Sequence, residues 1–280
     1  MRRLASSLAL AIVTTIGVGS GWADSDDIVD EAPVETRARM TLPEMQLYIQ
    51  AFLPINLTTD VAFKPVSIAP DIWFGLMKDL TVGLTHSRHA ADGFFGGPSA
   101  GLCFQGDMDG CPDPLNATAL QARYHIPDDK VPIPLAAEGG LVFSSFDPFA
   151  ISLKLGAVGR WEKDKLTALF GLNFFLGLSS RTADDGMGNE ITTNGETINL
   201  PITVMYAVMP KLSVGGQTGV VLPLQNTGDT YAIPFSLGGR YLVTPKIHAD
   251  LIFALPVLIS GGPISGFDGR VLTLGGGYIF

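Results

Sequence analysis

From Leu166 to Leu178 every second residue is apolar: Leu166, Ala168, Phe170, Leu172, Phe174, Leu176 and Leu178. Side chains alternate across an extended chain, so this spacing puts all seven on one face of a single β-strand. The same period recurs elsewhere. Phe149, Ile151, Leu153, Leu155, Ala157 and Trp161 share a face, as do Tyr231, Ile233, Phe235, Leu237, Tyr241 and Val243, and Ile247, Ala249, Leu251, Phe253, Leu255 and Val257. The opposite faces carry Lys154 and Arg160, Asn173, Arg240, and His248 with Asp250, among small residues. The uncharged runs 166–180 and 251–267 fall short of the roughly 18 residues a membrane helix needs, and they contain Gly or Pro.

From residue 45 onward the chain reads as twelve such strands: about 46–57, 67–77, 80–87, 117–126, 132–145, 149–161, 166–179, 197–209, 212–223, 230–243, 247–258 and 270–280. Tight charged turns (Lys78-Asp79, Asp129-Lys130, Glu162 to Lys165, Pro210-Lys211, Pro245-Lys246) alternate with connections that are mostly longer and more polar, such as 88–115 and 179–196. The short link at 146–148 is the exception. With an even strand count, both ends of the barrel segment fall on the short-turn side. The 33 Gly and 19 Pro argue against long helices.

The closing stretch, Arg270 to Phe280, places Leu272, Leu274, Tyr278 and Phe280 on one face and ends on an aromatic residue. It resembles the last strand of bacterial outer-membrane β-barrels. The turn asymmetry, strands of about ten residues and apolar faces with aromatic ends extend that resemblance over residues 45–280. It implies an all-β fold: a transmembrane up-and-down antiparallel barrel of about twelve strands, with short periplasmic turns and longer extracellular loops. It also implies outer-membrane lipids as surroundings and an assembly machinery that reads Tyr278 and Phe280. Residues 1–23 read as a secretory signal peptide: Arg2 and Arg3, an apolar core from Leu4 to Val18, then Gly21-Trp22-Ala23. Residues 24–44 read as a flexible acidic arm too short to fill much of a lumen. Beyond residue 23 the chain holds 16 basic and 27 acidic side chains, a balance that argues against nucleic acid as a partner.

The inward face then collects charge: Asp71, Arg123, His125, Glu138, Lys154, Arg160, Arg240, His248 and Asp250. A regular hairpin at Thr244-Pro245 sets Arg240 opposite Asp250, and the 146–148 link brings Glu138 near Lys154. Two readings are open: a constriction that selects solutes, or an ion-paired filling that props the barrel closed. Cys103 and Cys111 suit a disulfide closing a surface loop in an oxidising compartment. His86 and Ser87 are the residues a barrel-embedded lipid hydrolase would use, but adjacent positions on a strand point to opposite faces. Asp107, Asp109 and Asp113 fall short of a calcium loop. No metal or cofactor motif is present. The sequence therefore points to a small pore or transporter-like barrel, with a closed structural or surface-exposed barrel acting through its acidic loops as the alternative and catalysis behind both.

Overall fold

The computed structural model describes residues 40–58, 63–64, 66–87, 102–103, 118–127, 133–146, 149–179, 182–184, 190–192, 194–225, 230–261 and 266–280. Twelve strands form one antiparallel sheet: β1 (Leu47–Asn56), β2 (Ser67–Met77), β3 (Leu80–Thr85), β4 (Thr118–Ile126), β5 (Leu135–Phe146), β6 (Phe149–Lys163), β7 (Leu166–Gly177), β8 (Thr197–Met209), β9 (Leu212–Pro223), β10 (Ala232–Thr244), β11 (Ile247–Ser260) and β12 (Val271–Ile279). Each strand pairs with its sequence neighbours. β1 also pairs with β12, from Tyr48 opposite Ile279 to Asn56 opposite Val271, so the sheet closes into a barrel. The backbone N–H of Phe280 donates to the carbonyl of Leu47 at 2.9 Å, extending the seam to the terminal residue.

The first uncharged run forms strand β7 up to Gly177, and the second forms strand β11 up to Ser260, as expected. Among the described residues no helix is long and apolar enough to cross a membrane. The face assignment also holds. Leu155, Leu172, Leu237 and Leu251 are each more than half exposed on the outer surface, while Lys154, Asn173 and Asp250 beside them are buried. Phe149, Trp161 and Tyr241 are exposed near strand ends. Leu255 departs from the pattern. It is only 4% exposed, because the β10–β11 register slips where Ile233 pairs with Ile259 but Phe235 with Leu255.

Several strand limits differ from the sequence reading by two residues or more: β6 and β11 run on to Lys163 and Ser260, β7 stops at Gly177, and β3, β5 and β10 each lose residues at one end. β5 begins at Leu135 rather than near 132, after Pro132 and Pro134, which have no N–H to give a ladder. β10 begins at Ala232 rather than near 230. β3 stops at Thr85 because His86 and Ser87 turn inward onto Asp71. Where β3 has ended, the short strand Leu102–Cys103 takes its place against Ser67 and Ile68 of β2. A second short hairpin, Thr182–Asp184 with Glu190–Thr192, lies within the long 179–196 connection. Residues 1–39, Cys111 and the Asp107–Asp113 acidic cluster lie outside the described residues.

An apolar outer band predicts a depth-dependent penalty for charge. In lipid vesicles Leu172→Arg, at mid-strand, should lose about 2–4 kcal/mol, and Val243→Arg, near the short-turn rim, about 0–1 kcal/mol. Urea refolding midpoints measure both, and equal losses would contradict a lipid-facing band.

Candidate functional site in the barrel lumen

All nine charged or titratable residues assigned to the lumen sit on inward positions, and each is buried. Two groups of ion pairs organise them. On β10 and β11, Arg240 and Asp250 are direct cross-strand partners. The guanidinium grips the carboxylate with both arms: Nε donates to Oδ1 at 2.6 Å and Nη2 to Oδ2 at 2.8 Å. His248, two residues along, brings Nε2 to 3.4 Å from Asp250 Oδ2. On β4 to β6, Glu138 stands between two cations. Arg123, its cross-strand partner, donates from Nε at 2.8 Å and again from Nη2, and Lys154 Nζ lies 2.9 Å from Oε2. Lys154 also donates to Gln121 Oε1 at 2.9 Å. The Arg240–Asp250 and Glu138–Lys154 pairings match the sequence expectation. The third member, Arg123, was legible only as a lumen charge, because its partner depends on the register across the 127–134 turn. Arg160 pairs with Glu162 on its own strand, and His125 is buried on β4.

Asp71 has a different role. Its Oδ1 accepts from the backbone N–H groups of His86 and Ser87 at 2.7 and 2.9 Å. Its Oδ2 accepts from the Ser87 hydroxyl and from Gln50 Nε2, the latter at 2.7 Å. One carboxylate thus satisfies four donors and holds His86 and Ser87 against the inner face where β3 ends. His86 Nδ1 lies 2.6 Å from the carbonyl of Pro70. Ser87 and His86 therefore engage different groups. These contacts tie both side chains to the turn at the end of β3. Tyr48 carries the network onward, donating to Gln50 Oε1 at 2.8 Å and lying 3.2 Å from His248 Nε2.

Sequence reasoning missed two features of the interior. The first is the set of inward aromatics that lie over glycines of the next strand. The Trp73 ring occupies the space a Cβ on Gly83 would fill, and Phe52 does the same over Gly275. The pairing of an inward aromatic with an inward glycine was the available signal. The second is residues 40–43, expected to belong to a loose arm. Met40 and Leu42 are 3% exposed and pack in one cluster with Tyr48 and Trp73 on one wall and Ala136, Val158 and Leu169 on another. Leu42 N–H donates to Thr81 Oγ1 at 2.8 Å, and Arg123 Nη1 to the carbonyl of Met40 at 3.3 Å. Met40 and Met45 both have positive φ, so this segment bends sharply to enter the barrel. Gly75 leaves room for it, since a Cβ there would sit 1.8 Å from the carbonyl oxygen of Pro43. At the other mouth Asn194 folds over the wall, donating from Nδ2 to the carbonyls of Ile151 and Ser179 and accepting from Ser152.

Removing one partner of a desolvated pair strands the other charge. Asp250→Leu should therefore destabilise the barrel by about 3–5 kcal/mol, and adding Arg240→Met should recover most of that loss. Denaturant midpoints of the two variants measure it. A double variant no better than the single would show that the pair is not isolated from water.

No family model matches the chain, and no curated protein does. The barrel is similar to solved outer-membrane structures. The porin NanC superposes with a TM-score of 0.55 at 11% identity, covering 83% of this chain and 98% of NanC. The KdgM porin, solved with disordered oligogalacturonate, gives 0.49 at 10% identity over 83% of this chain and 99% of its own. The outer-membrane channel DcaP of Acinetobacter baumannii gives 0.36 at 11% identity, over 86% and 99%. At 11% identity the likeness to NanC shows the fold alone: a porin-like barrel, which in this chain has twelve strands.

Proposed function

We propose that the protein is an outer-membrane pore for small solutes, with a lumen narrowed by ion pairs and by residues 40–43. The observation that carries this reading is the contrast between the two surfaces of one closed sheet. The outside is apolar along whole strands, and the inside holds buried, paired charge. A water-soluble barrel would reverse that arrangement. In hydrocarbon, only a closed barrel satisfies every backbone group of a sheet. The shared fold with a porin supports the same conclusion. The short-turn rim, where β1 begins and β12 ends, then faces the periplasm. Residues 1–23 serve export, Tyr278 and Phe280 serve assembly, and Cys103 with Cys111 closes an outer loop. The two C-terminal aromatics pack edge to face, with ring centroids 4.4 Å apart. The reading is of a non-enzymatic barrel, consistent with the contacts that occupy His86 and Ser87.

A second reading, a closed structural barrel, has its own support. Lys154 and Asp71 are 0% exposed, and the Met40–Leu42 cluster joins opposite walls. Planar-bilayer recording separates the two. The wild type should give small discrete steps, and the Met40→Ser/Leu42→Ser double variant, which loosens the apolar cluster, should raise mean conductance about threefold or more. Silence from both proteins selects the closed barrel.

A further inference from the structure

The outer wall of the barrel is not evenly filled. A groove of about 460 Å³ lies over β8, β9 and β10. Its origin is Gly216, an outward position with no side chain. Gly216 stands in register between Val204 of β8 and Leu237 of β10, so bulky residues flank the gap on both sides. Leu237 leans toward it, since a Cβ on Gly216 would come 3.2 Å from Leu237 Cδ2. Ile202, Thr218 and Phe235 form the next row toward the long-loop rim, and Tyr206 with Val214 the next row toward the short-turn rim. Ile202, Val204, Tyr206 and Val214 are exposed on the outer face. Thr218 donates its hydroxyl to the carbonyl of Pro234 at 2.9 Å. Among the outward lining residues this leaves Tyr206, at the short-turn end, as the one polar side chain not so engaged.

The groove runs along the strands toward a rim of one charge. The β8–β9 turn carries Lys211 and the β10–β11 turn carries Lys246, and both are exposed. Neither turn holds an acid, and neither lysine joins an ion pair among the described residues. The β6–β7 turn differs, because there Glu162 and Asp164 accompany the lysines. Gly216 lies five residues from Lys211. That is about 17 Å of strand, or about 13 Å of depth at a barrel tilt near 40°. One leaflet of hydrocarbon is about 15 Å thick. A chain lying in the groove therefore ends with its headgroup at the level of the two lysines.

We propose that this groove holds one acyl chain of an anionic phospholipid, whose headgroup sits against Lys211 and Lys246. The inference rests on the reading of the barrel as membrane-spanning and adds a specific ligand to its outer wall. A gap between packed side chains forfeits dispersion contacts, and a flexible acyl chain restores them. Two cations at the membrane surface favour a headgroup of net negative charge. A second copy of the chain suits the face less well. Two copies share one orientation in the membrane. Pairing this face with itself would set the lysines of each chain level with those of the other, like charge against like.

Native mass spectrometry of the purified protein in detergent provides the test, with phosphatidylglycerol and phosphatidylcholine of matched chain length titrated separately. The monomer should retain one phosphatidylglycerol at about tenfold lower lipid concentration than one phosphatidylcholine. Lys211→Gln with Lys246→Gln, on exposed turns, should remove that preference and leave weak retention of either lipid. Gly216→Leu, which fills the groove, should remove retention of both, its folding being checked by the urea midpoint in vesicles. Equal retention of the two lipids by the wild type would overturn the site while leaving the barrel membrane-spanning, as would a preference that neither variant moves. A dimer that excludes lipid would assign the groove to a second chain and overturn it too. A wild type that fails to insert into vesicles of either lipid would defeat the membrane reading itself.

Discussion

The pairing of β1 with β12 is the constraint on which the rest of the molecule depends. Nine consecutive residue pairs join the first strand to the last, from Tyr48–Ile279 to Asn56–Val271. Without that seam two strands would each present a row of unpaired N–H and C=O groups, which neither lipid nor an aggregation-free surface tolerates. Closure also fixes parity. Once β12 is in register with both β1 and β11, residues 273, 275 and 277 must face inward, and every other strand follows around the ring. The three small residues of Gly275-Gly276-Gly277 make the seam compact, and Phe52 lies against the space Gly275 leaves.

Closure forces the second feature, the pairing of charge. A twelve-strand ring is narrow enough for side chains from different walls to meet, as the Phe52–Met205–Ile252 cluster does. A carboxylate or ammonium projecting into that space leaves bulk water, and its desolvation must be offset by a partner within a few ångströms. Asp250 and Glu138 meet this requirement with cations on neighbouring strands. Asp71 meets it without a cation, through four N–H and O–H donors. That solution has a structural consequence. Two of its donors are the backbone amides just past the end of β3, so the same carboxylate that is kept satisfied also fixes where that strand stops.

Strand positions and faces were legible in the sequence because they depend on local alternation alone. The limits of β8 and β9 at 197–209 and 212–223, and the outward side of Leu172 and Leu237, required no knowledge of neighbours. Cross-strand contacts were legible only where the strand limits beside a turn were read correctly: the Thr244-Pro245 hairpin gave Arg240–Asp250, whereas the strand after Asp129-Lys130 starts at Leu135, three residues later than read, and Arg123–Glu138 was missed. Residues 40–43 were illegible for a related reason. Their burial comes from the cavity they enter, with no periodic pattern of their own, and an acidic, unpatterned stretch before a barrel reads as a tail.

The segment at 40–43 and the wall it packs against constrain each other. Met40 and Leu42 are held mainly by apolar contacts and by two hydrogen bonds, from Leu42 N–H to Thr81 and from Arg123 to the Met40 carbonyl. Arg123 is simultaneously the partner of Glu138 and lies 5.7 Å from the Trp73 ring centre. Withdrawing the segment therefore removes one acceptor from Arg123 but leaves its ion pair and its aromatic neighbour in place. The Arg123 charge that touches this segment is met by Glu138 of the wall. A barrel whose ion pairs ran between plug and wall would instead have to break a desolvated pair at each opening, at a cost of several kcal/mol. Among the described residues the strong pairs lie within the wall and residues 40–43 are held by apolar contacts and two hydrogen bonds, an arrangement that suits the pore proposed above.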